Sequence, residues 1–174
     1  ALQENIPTGT FLISEYVIGL DGILHYYENP GTEADEKDLE DSFIEATQWP
    51  KELPKPYAVK ASPELFDLLK PGMTPGITIT AVGFYAPQGR SIRLPLRNTK
   101  QNDALTHFNW NNRNITNYEM ETSALYGLGS MLGHKVATCC AIIANRLRGE
   151  FSADPKKDVD KLIDVVLDRL ATLT

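Results

Sequence analysis

The chain has 174 residues, enough to bury a substantial core within one domain spanning 1–174. Its 42% hydrophobic and 23% charged residues are ordinary for a globular protein, and 17 Lys and Arg against 23 Asp and Glu leave a net charge of −6. That sign argues against nucleic acid as a partner, because proteins that grip a phosphate backbone carry a basic face. A membrane is not expected either, since no apolar run approaches the ~20 residues of a spanning helix.

The opening residues, Ala1-Leu2-Gln3-Glu4-Asn5, show no basic stretch followed by an apolar one. Cys139 and Cys140 are adjacent inside an apolar run, and neighbours on a strand point to opposite faces, so a bridge between them is not expected. With no disulfide framework available, a reducing cytoplasm is the expected location.

Residues 10–18 are β-branched and aromatic and predict a strand close to the start of the chain. The spacing suggests a shorter strand at 22–27, then a surface excursion rich in Pro, Glu and Asp over 28–56, with a helix from Glu36 to Gln48. Ser62-Pro63-Glu64 sets an N-cap, a proline at the first helical position and an acid in the first turn; Leu65, Leu68 and Leu69 supply an apolar face, and Pro71-Gly72 stops the helix.

Residues 77–84 predict another strand, followed by a Pro- and Gly-containing loop at 85–90. A further strand is expected to end near Tyr118-Glu119-Met120, with a loop before it at Asn109-Trp110-Asn111-Asn112 and a helix after it, from Glu121 to Leu132, stopped by Gly133. Residues 136–144 form a near-continuous apolar run, as in a strand buried on both faces. Asp154-Pro155 caps a last helix, whose Val159, Leu162, Ile163, Val166, Leu167 and Leu170 repeat at i, i+3, i+4 and predict packing on the sheet. Strands alternating with helices imply an α/β sandwich with a parallel or mixed sheet.

Ligands of open α/β sheets bind beyond the carboxyl ends of strands. Two such ends carry suitable groups. Phe84-Tyr85-Ala86-Pro87-Gln88-Gly89-Arg90 offers a flat ring, an amide and a guanidinium on a constrained loop. A glutamine can donate to O2 of uracil while accepting from N3–H, an arginine can donate to O4, and Phe84 can stack on such a base. The bland alternative is a solvated surface Gln and Arg beside a core Phe. Asn117-Tyr118-Glu119-Met120-Glu121-Thr122-Ser123-Ala124-Leu125 places a carboxylate at a strand-to-helix junction, suited to vicinal hydroxyls or simply to the positive helix end. His25, His107 and His134 are scattered without metal-ligand spacing, and Ser123 has no base near it in sequence.

The second motif resembles the ribose-binding segment of bacterial uridine phosphorylases, continuing through Gly133-His134-Lys135 to Ala141-Ile142-Ile143-Ala144-Asn145-Arg146. The first is similar to the uracil-recognition loop of that family, and Gly19-Leu20-Asp21-Gly22 extends the likeness. The resemblance implies a three-layer α/β sandwich with a mixed central sheet, nucleoside-phosphorylase-like. It implies that Gln88 and Arg90 bond uracil and that Phe84 packs on base or sugar. Met120 and Glu121 would hold the ribose, while Ile142, Ile143 and Arg146 close the base pocket. Gln88, Arg90 and Glu121 become the expected catalytic groups, on uridine or uracil with phosphate as co-substrate and no cofactor or metal. Purine-handling relatives carry an acid after a Ser at the end of the last strand; here Ile143-Ala144-Asn145-Arg146 has none, which favours pyrimidines. The family's glycine-rich phosphate loop is expected to precede Ala1, so the chain is read as its C-terminal portion, and a dimer or hexamer is implied. A nucleosidase using water, and a nucleoside-binding fragment without activity, remain the alternative readings.

Overall fold

The computed structural model describes residues 1–28 and 31–173. At its centre runs β1 (Phe11–Gly19), whose side chains are buried on both faces: Ile13 and Val17 enter one apolar cluster, Tyr16 and Ile18 another. Beside it lie β3 (Thr74–Thr80) and then β5 (Arg113–Glu119), all three parallel. The margins are antiparallel. β2 (Tyr57–Lys60) pairs with residues 16–19 of β1, and β4 (Asn109–Trp110) pairs with β5. The order is β2-β1-β3-β5-β4, and β6 (Cys139–Ala141) pairs with residues 11–13 of β1. The sheet is therefore mixed, as the alternation of elements predicts.

Helices cover both faces. Leu39 and Phe43 of α1 (Ala34–Thr47) and Leu105 of α3 (Gln101–His107) pack with Ile77, Ile79 and Ile115 on one side. Phe66 and Leu69 of α2 (Pro63–Leu69), Tyr126 of α4 (Thr122–Met131) and Leu162 of α5 (Pro155–Leu170) pack on the other.

Several elements differ from the sequence expectation, each for a visible reason. Residues 22–27 form no strand. Gly22 turns at φ 68, Asp21 Oδ1 accepts from the Ile23 N–H at 2.7 Å, and a 3-10 turn follows over Ile23–Tyr26. The segment 28–56 is more than a surface excursion, although Asn29 and Pro30 within it lie outside the described residues. Its helix α1 has Leu39 and Phe43 fully buried, and Glu40 and Glu36 accept the Ala58 and Lys60 N–H groups on the open edge of β2 at 3.2 and 2.8 Å. Acids that read as solvated charges thus close a strand edge.

The strand expected to reach residue 84 stops at Thr80, after which Val82 and Phe84 are exposed. Asn109-Trp110-Asn111-Asn112 is a hairpin rather than a loop, because Asn111 and Asn112 take the positive φ values of 49° and 62° that its tight turn demands. The run 136–144 yields only the half-buried β6 and the start of the two-residue β7 (Ala144–Asn145), which pairs with β8 (Glu150–Phe151). Its start is spent bridging, with Val136 O and Thr138 O accepting from Ser62 and Ser14. On α2, Ser62 occupies the cap position without a side-chain cap bond, and Phe66 is buried beside Leu69. On α5, Asp154 caps through Lys157 N as expected, but only Leu162 is fully covered, and Val159, Ile163 and Leu167 are exposed. Among the described residues no helix is long and apolar enough to cross a membrane.

Candidate active site

The carboxyl ends of the three parallel strands are level. Leu20 N donates to Thr80 O at 3.0 Å, and Ala81 N to Glu119 O at 2.9 Å. Beyond this common edge the chain places the loop 81–90 after β3 and the junction 120–122 after β5, where the topology of such sheets puts ligands.

The loop closes on itself through Gln88 N and Arg90 N to Tyr85 O, and Gly89 N to Ala86 O. Gly89 is needed twice over: its φ is 71°, and a Cβ there would meet Asn102 Nδ2 at 2.4 Å. This fold brings Arg90 back over Phe84, the guanidinium carbon 3.7 Å from the ring centre, and Arg90 Nη1 donates to Phe84 O at 2.6 Å. Phe84 is half exposed, so its ring offers a stacking surface rather than core volume.

Gln88 is the focus. Its side chain is buried, and its Oε1 accepts from Arg90 Nη1 at 2.6 Å and from Arg146 Nη2 at 3.0 Å. Arginine only donates, so these contacts fix the amide with oxygen toward the guanidiniums. Among the described residues no carboxylate forms an ion pair with either arginine. Burial pulls both guanidiniums below their usual pKa, and for Arg146 the neighbouring Arg90 charge adds to it. A cavity of about 400 Å³ lies on their flank, lined by Arg90, Asn102, Ala144, Arg146 and Phe151 among others.

Arg146 is delivered from a distant part of the chain by Asn145, which is 1% exposed. The Asn145 Nδ2 donates to Gln3 O and Ile6 O at 2.9 and 2.7 Å, and its Oδ1 accepts from Leu147 N and Arg148 N. With four bonds on one amide the backbone at 145 is pinned, and Arg146 projects onto Gln88 O at 2.5 Å.

At the β5–α4 junction the two acids divide their work. Glu119 takes the helix end: its Oε2 accepts from Glu121 N at 2.8 Å and from Thr122 N and Oγ1, both at 2.6 Å, while Oε1 accepts from Thr80 Oγ1. Glu121 is thereby relieved of capping. Its carboxylate is exposed and accepts from Met120 N at 3.2 Å, which leaves lone pairs for a ligand's hydroxyls. Met120 is half exposed beside it. Ser123 Oγ is fully buried and donates to Asp21 Oδ2, with Tyr57 Oη on Asp21 Oδ1 at 2.8 Å. That bond ties the end of β1 to the first turn of α4.

Of the residues singled out in the sequence, Phe84, Gln88, Arg90 and Arg146 come together in one cluster, and Met120 and Glu121 form a second group on the same sheet edge. Ile142 instead packs inward with Ile6 and Leu12, and Ile143 is the half-exposed member of that pair. Sequence reasoning missed four residues that hold this cluster in place: Asn145, Tyr118, Gln101 and Asn102. Tyr118 lies within the junction motif, but nothing in the spacing around Gln101 and Asn102 marks them.

One edge of this α/β sheet thus carries an amide held between two guanidiniums and an exposed carboxylate, in a fold that matches a solved nucleoside phosphorylase structure. The chain belongs to the Phosphorylase superfamily, whose family model matches residues 1–173. It is 26% identical over 172 residues to a uridine phosphorylase of Haemophilus influenzae, covering 96% of this chain and 60% of that protein. Among solved structures it resembles a Trypanosoma brucei nucleoside phosphorylase that shows uridine phosphorylase activity, with a TM-score of 0.87 at 22% identity over 99% of this chain and 61% of that one. A Schistosoma mansoni uridine phosphorylase follows at a TM-score of 0.62 and 21% identity, over 97% and 56%. A candidate methylthioadenosine nucleosidase of Weissella paramesenteroides gives 0.60 and 18%, over 100% and 65%. The chain thus spans about 60% of the length of the relatives it matches.

Proposed function

We propose that the whole protein cleaves uridine with phosphate, giving uracil and ribose 1-phosphate, and that this chain carries the base and ribose contacts. The observation that supports it most is Gln88 held between two guanidiniums that have no carboxylate partner among the described residues. Such a site suits a polar, charge-accepting base edge. Uracil presents O2, N3–H and O4. Gln88 Nε2 donates to O2, Oε1 accepts from N3–H in exchange for one arginine, and the arginine so released turns to O4.

As the glycosidic bond breaks, its electron pair moves onto the uracil ring, and a phosphate oxygen forms the new bond to the anomeric carbon. Negative charge grows on O2 and O4, where Gln88 and the guanidiniums stabilise it more in the transition state than in the ground state. Glu121 accepts from the ribose hydroxyls and fixes the sugar for attack from the opposite face. The departing uracil anion takes its proton from water, so no general acid is needed on the base. Homo-oligomerisation of the whole protein belongs to the same reading, supported by the exposed Val159, Ile163 and Leu167 on α5.

The likeness to a candidate nucleosidase keeps one alternative specific: water in place of phosphate. Phosphorus NMR of uridine with the whole protein separates the two. Phosphorolysis gives a ribose 1-phosphate resonance growing in step with uracil; uracil release with no such resonance would move the assignment to hydrolysis.

A further inference from the structure

The base-reading loop hangs over the sheet edge, and three side chains outside it hold it there. Gln101 Nε2 donates to Pro87 O at 2.8 Å, Asn102 Nδ2 to Gln88 O at 3.4 Å, and Arg146 Nη1 to Gln88 O at 2.5 Å. Gln101 and Asn102 open α3, which follows the loop in the chain. Both amides are set by one phenol. Tyr118 Oη accepts from Gln101 Nε2 at 3.2 Å and donates to Asn102 Oδ1 at 3.0 Å. Its single proton goes to the Asn102 oxygen, which forces the Asn102 nitrogen toward Gln88. The missing side chain of Gly89 leaves the space that the Asn102 amide occupies, since a Cβ there would meet Asn102 Nδ2 at 2.4 Å.

We propose that Tyr118, acting through Gln101 and Asn102, is the positioning residue for Gln88 in base recognition; this rests on the uridine reading above. Tyr118 sits on β5, two residues before Met120 and three before Glu121. The same rigid strand therefore locates the base loop through a side chain and the ribose carboxylate through the backbone, which keeps the two halves of a nucleoside site in register. The Tyr118 ring also lies 5.1 Å from the Arg146 guanidinium carbon, and Tyr118→Phe keeps that contact while deleting only the hydroxyl.

The test is a double-mutant cycle on uridine cleavage in the protein expressed from its whole reading frame, with melting temperature recorded for every variant. Tyr118→Phe is expected to lower kcat/KM about tenfold and Gln88→Ala about 10²-fold, within the range that ångström-scale misplacement produces. The double variant is expected to be no worse than Gln88→Ala alone, since a residue that acts through Gln88 has nothing left to position. Asn102→Ala, taken through the same cycle, is expected to behave as Tyr118→Phe does. Losses that multiply in the double variants, or full activity of Tyr118→Phe, overturn the positioning role while leaving the uridine reading intact. A wild-type protein that releases no uracil overturns both.

Discussion

At the scale of single residues, the proposed function rests on Gln88, Arg90 and Arg146, whose shared hydrogen bonds a base would partly replace. Replacing Arg90 by Ala removes one donor to the developing charge and one of the two restraints on Gln88 Oε1. kcat/KM for uridine is expected to fall about 10²–10³-fold, with the melting temperature near that of the wild type because Arg90 packs on an exposed ring. Unchanged turnover would remove Arg90 from the mechanism. The cysteines carry a prediction of the opposite kind. Burial raises the thiol of Cys139 to about 11 and that of Cys140 to about 12. A raised pKa keeps a thiol protonated, and the thiolate is the reactive form. At pH 8 both should react with a disulfide reagent at least ~100-fold more slowly in the native protein than in the urea-unfolded chain. Equal rates would show that the thiols are not shielded as they are placed here, Cys139 against one core cluster and Cys140 against another.

At the scale of elements, the site depends on a division of labour between neighbours in sequence. Glu119 caps α4 and bonds Thr80 on the adjacent strand, so the Glu121 carboxylate is relieved of capping and accepts only from Met120 N among the described residues. Glu119→Ala leaves two N–H groups and two hydroxyls without their acceptor, at a cost of about 3 kcal/mol. For a chain of this size that is a fall in melting temperature of roughly 6–12 °C. Calorimetry checks it, and a variant as stable as the wild type would contradict the capping role. Which of the two acids caps was not legible in the sequence, because both stand at the junction and only Glu119 has the tertiary contact with Thr80. The strand at 10–18, the strand end near 118–120 and the helices at 36–48, after Ser62, at 121–132 and after Asp154 were legible, most of them from composition, local periodicity or a cap. The run 136–144 misled for a physical reason: its apolar residues divide among α4, β1 and the pairing with β8 instead of entering one ladder.

At the scale of the whole molecule, three strand ends held level bring residues far apart in the chain to one edge, and motif order alone does not reveal that. The likeness of the motifs to uridine phosphorylases pointed to Phe84, Gln88, Arg90, Arg146, Met120 and Glu121, which lie at that edge in two groups. It did not point to Asn145, which holds the backbone before Arg146, or to Tyr118, which is linked through Gln101 and Asn102 to the loop 81–90, because both act through contacts spanning 16 to 142 residues of sequence. Under the proposed function, this edge reads uracil. The measurement that tests it most directly is the initial rate of base release by the whole protein from uridine, cytidine and inosine at equal concentration with phosphate present. Cytidine lacks N3–H and turns a donor toward the guanidiniums, so uridine is expected to be preferred over cytidine by roughly 10⁴, with inosine untouched. Comparable rates on cytidine, or a faster rate on inosine, would contradict it.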